Sequence, residues 1–519
     1  MTTDQAEATG PVTSRRRSPA GIAGIVLLAL GCALFVAIGF GRITAPFGDS
    51  DEGINGAVWS YSAQSLRQLG IVDSRLGGHR IDGTDYATHP PGIVVETAVG
   101  QIIGGNHPWS SRLPAVIGTM VALVLLYRLL RGAGFEPLAS GGATALVALT
   151  PMALVYGSML DTPITALPFG VLVLLCWSRD WRGDRPVNPA LAALAAVAAG
   201  LTGWQAAVLT AMCGLSLLAR AVRHRPGAIR AALPYLVGGA VGVGLSLSWS
   251  WWVNGDFHVL FGKFGGRSGE SSGIGLGDMV SFQVPWLANL LGLSMVGLIG
   301  CLVALRDRAV RPLAAMALAS VGVYAVIFRQ AAAGHQYWNY WVLVPTAIGW
   351  AYLLRLVIHG VHATDANGDD PAGTTATSPV AAIGLVVAVV VVVTGFGLLR
   401  PNQAAGYIDD GHRAAELVDA GDFPAGQRSL GYVGQPFRAD AWITSNTHLS
   451  PFTITSPDQL VQIAADHPDD LVLILGDCDT SDPSYGFCAD VTRAAAAEDG
   501  GDVQQPRLVP IGQLVGPTE

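Results

Sequence analysis

Ile93-Val-Val-Glu-Thr-Ala-Val-Gly-Gln-Ile-Ile103 and Leu113-Pro-Ala-Val-Ile-Gly-Thr-Met-Val-Ala-Leu-Val-Leu-Leu-Tyr-Arg-Leu-Leu130, the latter followed by Arg131, are neighbouring apolar stretches of unequal length. A helix needs roughly 20 apolar residues to cross a bilayer. The second stretch is long enough, and the first is not. If both crossed, Arg131 would face the side opposite Arg15-Arg16-Arg17. Every later Arg cluster would then be inverted against the rule that basic loops stay in the cytoplasm. The first stretch is therefore expected to lie along the outer membrane surface as an amphipathic helix, and the second to span.

Composition agrees with a membrane protein. Of 519 residues, 51% are hydrophobic and only 13% charged, where soluble chains carry about 25% charged. The formal net charge is −8. Lys263 is the only lysine, and the arginines punctuate apolar runs. They form no basic face for nucleic acid. Clusters at Arg15–Arg17, Arg128/Arg131, Arg179/Arg182/Arg185, Arg220–Arg230, Arg306–Arg311 and Arg355 mark the cytoplasmic side. Spans are then expected at about 22–40, 113–130, 139–160 and 164–177, as a hairpin over 189–219 turning near Gly203-Trp204, and at 232–252, 284–305, 313–328, 340–358 and 380–399. The fold class is an α-helical polytopic membrane protein of about 11 spans with a small C-terminal α/β domain. Its expected parts are a disordered cytoplasmic N-terminus (1–19), a transmembrane domain (20–358) with a polar first outer loop (42–112), a cytoplasmic linker (359–379), a last span (380–399) and an extracytoplasmic domain (400–519). In that domain, 429–433 and 471–475 read as strands. Ser456 reads as the cap of a helix that opens with Pro457. Cys478 and Cys488 lie close together there, as a disulfide if the domain is outside the cytoplasm, or as free thiols.

Four outer segments hold residues suited to chemistry. Phe47-Gly-Asp-Ser-Asp-Glu-Gly-Ile-Asn55 brings Asp49, Asp51 and Glu52 together at the membrane boundary. A carboxylate there would serve as general base toward a hydroxyl. Asp49 and Asp51 would also suit a divalent cation such as Mg or Mn, although the sequence requires no cofactor. The other reading is a solvated acidic turn. Thr88-His89-Pro90-Pro91-Gly92 starts the surface helix and offers His89 to a phosphate or a sugar hydroxyl. Asp161 lies at the outer end of the third span. Gly334-His335-Gln336-Tyr337-Trp338-Asn339-Tyr340-Trp341 mixes rings with His335, Gln336 and Asn339. It reads either as an interfacial aromatic belt or as a surface on which a sugar stacks; Trp204 is grouped with it. Outer-side cations for a lipid phosphate are Arg80, Arg112, Lys263 and Arg267, or these contact headgroups instead.

In this order the segments resemble the GT-C glycosyltransferases of the family 39 type, which include protein O-mannosyltransferases, aminoarabinose transferases that modify lipid A, and bacterial galacturonosyltransferase-like proteins. The resemblance rests on Asp51-Glu52, His89-Pro90-Pro91-Gly92, Arg112-Leu113-Pro114, Thr150-Pro151, Asp161 and His335-Gln-Tyr-Trp-Asn-Tyr340, and covers roughly residues 20–350. It implies inverting transfer from a polyprenyl-phosphate sugar to a lipid, glycan or protein acceptor on the extracytoplasmic face. Asp51 would be the base, and Glu52 and Asp161 would position the acceptor or shape the charge. Two features depart from the family. The turn Gly200-Leu-Thr-Gly-Trp-Gln205 lacks a Lys, and no basic residue follows the Pro-Pro turn closely. Two other functions fit the same segments: a transporter or flippase for a lipid-linked sugar, and a non-catalytic envelope assembly protein. The absence of an internal repeat, and carboxylates at the interface instead of the midplane, weigh against transport.

Overall fold

A computed structural model describes residues 19–47, 51–81, 83–183, 187–223, 227–268, 273–365 and 379–399, and from the C-terminal region 417–418, 420–424, 427–433, 449–474, 485–499 and 507–515. Its helices are α1 (Pro19–Thr44), α2 (Asp51–Asp73), α3 (Gly92–Gly104), α4 (Pro108–Gly132), α5 (Pro137–Ala148), α6 (Pro151–Tyr156), α7 (Thr162–Thr165), α8 (Leu167–Arg182), α9 (Pro189–Thr202), α10 (Trp204–Val222), α11 (Gly227–Asn254), α12 (His258–Ser268), α13 (Leu276–Leu291), α14 (Met295–Ala304), α15 (Arg311–Ile327), α16 (Arg329–Gly334), α17 (Leu343–Asp365) and α18 (Pro379–Leu399). A tight helical turn, Gln336–Val342, leads into α17.

Local chemistry sets many of the starts. Proline, which has no N–H to lose, sits at the head of α4, α5, α6 and α9. Thr150 caps α6 by accepting from the Ala153 N–H, and Asn188 caps α9 by accepting from Ala190. Among the described residues seven helices are long and apolar enough to cross a membrane. Shorter apolar segments, at α5–α6, α9, α15 and α18, lie where the other four spans are expected. Spans pack closely where side chains vanish. A Cβ on Gly349 of α17 would lie 1.7 Å from the Gly297 carbonyl oxygen of α14, so the two backbones touch there.

α3, at 13 residues, is too short to span. It exposes Val95, Val99, Ile102 and Ile103 on one side and buries Ile93, Val94 and Thr97 on the other, as a helix on a membrane surface does. Its first residue is pressed against the end of α9: a Cβ on Gly92 would meet the Leu201 carbonyl oxygen at 2.7 Å.

Three expectations need correction. The first outer loop was read as polar chain up to the Pro-Pro turn, yet α2 occupies 51–73 and is buried almost throughout its first four turns. Its inward face is built partly from Ser60, Ser62, Gln64 and Ser65, which carry no hydropathy signal. Partners exist in the fold: Gln101 of α3 donates to the Ser60 carbonyl at 3.0 Å, and Ser60 and Ser111 hydroxyls pair at 3.0 Å. The third span is not continuous over 139–160. Pro151 interrupts the backbone ladder, giving α5 and α6, and helix ends at Tyr156. The stretch between the expected spans at 232–252 and 284–305 is not plain loop, and contains α12 and the start of α13. The expected N-terminal tail up to residue 18, and linker residues 366–378, lie outside the described residues.

The C-terminal region forms a four-stranded sheet from β1 (Ser429–Val433), β2 (Ser450–Thr453), β3 (Leu471–Ile474) and β4 (Arg507–Pro510), with helices α19 (Pro457–Asp466), α20 (Tyr485–Asp499) and α21 (Ile511–Val515). The spatial order is β2-β1-β3-β4. β1 runs parallel to β2 and β3, and β4 antiparallel to β3. Ser456 caps α19 as expected, accepting from the Gln459 N–H. Cys488, on α20, is disulfide-bonded, and Cys478 lies outside the described residues. The sheet packs against α2 through Phe47, Ala57 and Val58, so this domain and the first loop share one face of the membrane domain.

Candidate active site

Asp51 is the first residue of α2; its side chain, and Asp49 altogether, lie outside the described residues. The next residue, Glu52, is buried and faces Arg112 at the head of α4. Arg112 Nε donates to Glu52 Oε1 at 2.7 Å and Nη2 to Oε2 at 3.0 Å, a planar two-point pair. Its remaining nitrogen donates to the carbonyls of Ile43 and Ala45. The guanidinium also lies 4.4 Å over the Phe47 ring. The sequence groups Arg112 with phosphate-binding cations. Here every nitrogen is taken up inside the protein, and Arg112 ties the end of α1 and Phe47 to the start of α2.

Asn55 and Trp59 lie one turn apart on one stripe of α2. Asn55 Nδ2 donates to the Tyr337 hydroxyl at 3.1 Å. Trp59 stands beside Asp161 and meets the His89 ring edge-on at 5.8 Å. Asp161 is 4% exposed and caps α7, its Oδ1 accepting from the Thr162 N–H at 2.6 Å. Burial pushes its carboxyl above the usual range. The Thr162 bond, the charges of Arg267 and His335, and the neighbouring Trp59 pull the other way.

His89 Nε2 lies 2.9 Å from Arg267 Nη1, and Nδ1 lies 3.4 Å from Thr162 Oγ1. A guanidinium has only donors, so Nε2 accepts and the ring proton sits on Nδ1, toward Thr162. Arg267, near the end of α12, also lies 5.2 Å over the Trp338 ring. One turn earlier stands Lys263. Both line a cavity of about 400 Å³ walled by apolar side chains of α10, α11, α12 and α15, together with Thr88, Trp204, Phe328 and Trp338. Trp204 Nε1 donates to the Thr88 carbonyl at 3.3 Å, which ties the α9–α10 turn to the His-Pro-Pro turn.

The aromatic turn closes the other side. His335 lies over Tyr337 at 5.3 Å and Trp338 at 6.4 Å. Gln336 Oε1 accepts from the Tyr156 hydroxyl at 3.3 Å. Asn339 is buried behind Trp338, whose carbonyl accepts from Gln205 at 2.8 Å. Arg80 stands apart, on the far side of Tyr86: its Nε donates to Ser62 Oγ at 3.1 Å, and it lies 4.9 Å over the Tyr86 ring. Thus His89, Asp161, Arg267, His335, Tyr337 and Trp338 converge beside the start of α2. Lys263 and Trp204 line the adjoining cavity, while Arg80 and Arg112 are engaged elsewhere. No group of three or more metal-ligating side chains is assembled among the described residues.

Residues 88–252, from the His-Pro-Pro turn to the end of α11, match the family model of dolichyl-phosphate-mannose-protein mannosyltransferase. Among solved structures, the chain is similar to ArnT from Cupriavidus metallidurans in the apo state, with a TM-score of 0.60 at 16% identity over 96% of this chain and 100% of that one. It matches the same protein bound to undecaprenyl phosphate, at 0.59 and 15% over 96% and 100%. The chain has the GT-C glycosyltransferase fold. The archaeal oligosaccharyltransferase AglB from Archaeoglobus fulgidus follows at 0.49 and 12%, over 87% of this chain and 69% of that one. A search of the curated proteins finds no match.

In this GT-C chain the sequence reading passed over Asn55, Trp59, Tyr86, Tyr156 and Thr162. Asn55 and Trp59 had a usable signal, their spacing of four and eight residues from Asp51, but it becomes visible only once 51–73 is known to be helical. The others meet the site through contacts that no local pattern carries.

Proposed function

We propose that this protein is a membrane glycosyltransferase that moves a sugar from a polyprenyl-phosphate donor to an acceptor hydroxyl, with inversion. The face is that of the first loop and the C-terminal domain, which the Arg distribution puts outside the cytoplasm. The observation that carries the reading is the polar cluster of Arg267, His89, Asp161 and His335 at the edge of an apolar cavity of about 400 Å³ that also holds Lys263. A prenyl chain suits the cavity walls, and its phosphate suits Arg267 and Lys263. His89 holds Arg267 in place, and Trp338 lies under it.

The step is a single displacement. The acceptor oxygen attacks the sugar's anomeric carbon, and its proton passes to Asp51. The bond from that carbon to the phosphate oxygen breaks, and the electron pair leaves with the polyprenyl phosphate. Attack opposite the leaving group inverts the centre. Arg267 and Lys263 balance the charge that grows on the phosphate, and no step needs a metal. Asp161, buried beside Arg267 and His335, shapes the charge of the site. Glu52 and Arg112 fix the start of α2, which carries Asp51. His335, Gln336, Tyr337 and Trp338 supply a sugar-facing wall of rings and polar groups, and Asn339 is buried behind it.

The test is transfer from labelled polyprenyl-phosphate sugars in membranes holding wild type or Asp51→Asn at equal expression. Asn keeps the size and removes the basicity, so the rate should fall about 10² to 10⁴-fold. Equal rates would remove Asp51 from the role of base. No transfer by wild type from any donor would sink the enzyme reading.

A further inference from the structure

A sheet has two faces, and each must be covered. Along β1, Leu430 and Tyr432 point one way and Gly431 and Val433 the other; along β3, Leu473 opposes Val472 and Ile474. Val433, Val472 and Ile474 are covered by the domain's own helices, through Leu460, Val491 and Ile511. Leu430, Tyr432 and Leu473 instead pack on Phe47, Ala57 and Val58 from the membrane domain, and all six are buried. Tyr86 is packed against this same cluster. Its ring also lies 5.5 Å from Trp59 and 6.4 Å from His89.

The covered face therefore touches both arms of the site. One arm runs from Phe47 to Arg112 and Glu52; the other runs from Tyr86 to Trp59, His89 and Asp161. Phe47 is held under the sheet, and Glu52, at the start of α2, is held on Arg112.

We propose that the C-terminal sheet is a clamp on the start of α2. Leu430, Tyr432 and Leu473 are positioning residues that fix Phe47 and the first two turns of α2, and with them Asp51. The domain thus forms part of the catalytic scaffold instead of a separate acceptor-binding module. Its kinetic consequence rests on the function proposed above, because only a base at Asp51 makes the position of this helix start matter for rate. Small displacements of a reacting group cost about 10²-fold.

The test compares two paired variants of the full-length protein. Leu430→Ala with Leu473→Ala empties the face toward α2. Val472→Ala with Ile474→Ala empties the opposite face and loosens the domain without touching the start of α2. In a Cys32→Ser background, Cys32 being the one described free thiol that is not fully buried, a spin label at Asp51→Cys reports the mobility of that start. The clamp predicts a mobile label for the Leu430/Leu473 pair and an immobile one for the Val472/Ile474 pair. With Asp51 intact, it predicts kcat lower by about 10- to 100-fold for the first pair, with donor KM unchanged. For the second pair it predicts a lower Tm with kcat retained. An immobile label in both pairs, or equal mobility in both, overturns the clamp. The label needs no substrate, so it decides the clamp even if wild type transfers no sugar.

Discussion

Arg112→Met tests whether the start of α2 is held by a dry ion pair. Arg112 is fully buried and Glu52 is 3% exposed. The substitution removes two charge-assisted bonds at 2.7 and 3.0 Å and those to the Ile43 and Ala45 carbonyls, and leaves the Glu52 carboxylate buried without its cation. Removing one partner of such a pair costs about 3–5 kcal/mol. That is a large part of the 5–15 kcal/mol typical of a folded domain. Glu52→Gln should cost less, because the guanidinium keeps its bonds to the two carbonyls and an amide oxygen still accepts one. Glu52→Leu with Arg112→Met should recover much of the loss, since an apolar pair leaves no charge to desolvate. The assay is reversible unfolding of the purified protein in mixed micelles titrated with SDS, run as a double-mutant cycle with Glu52→Leu as the second single variant. We expect a coupling of about 2 kcal/mol or more. Single variants each within about 0.5 kcal/mol of wild type, in the range of ordinary surface substitutions, would show that water reaches the pair and would refute the reasoning.

Arg267→Ala should raise the donor KM by at least about tenfold, since a bond to a charged group is worth about 1.5–3 kcal/mol; an unchanged KM would exclude Arg267 from phosphate binding. Glu96, on α3 outside the spanning helices, has its carboxyl pushed up to about 8 by burial. Its neutral form is the one the fold accepts, so the stability it contributes is present below its unfolded value near 4.5 and lost as pH rises through about 8. Wild-type Tm should therefore fall between mildly acidic and alkaline buffer, and that fall should flatten in Glu96→Gln; parallel profiles for the two proteins would show the group is hydrated. Gly349→Ala should lower Tm by forcing α14 and α17 apart, whereas Gly322→Ala, where a Cβ meets nothing within 4 Å, should not. Thermal melts in detergent decide between them.

The spanning helices were legible because a bilayer asks for a long local run of apolar residues, whatever the rest of the chain does. Arg131 and the clusters after it argue for an even number of crossings between them, and so against counting the short helix α3 as a span. Ser456 and Pro457 announced α19 for an equally local reason. The acidic turn, the His-Pro-Pro turn, Asp161 and the aromatic turn were readable as separate pieces of chemistry. Their roles were not. Arg112 looks like a free cation until Glu52, 60 residues away, is found against it. α2 reads as a polar loop because partners of its buried serines lie far along the chain, Gln101 and Ser111 for Ser60 and Arg80 for Ser62. His89 and Arg267, 178 residues apart, meet because α12 folds back over the turn. The sheet shows its missing layer only when α2 is packed beneath it. Hydropathy, caps and charge placement act within a few turns of chain, so the sequence determined the spans and their order. Which polar groups satisfy one another depends on how distant helices cross, so only the tertiary structure decided which of these residues form a site and which brace it.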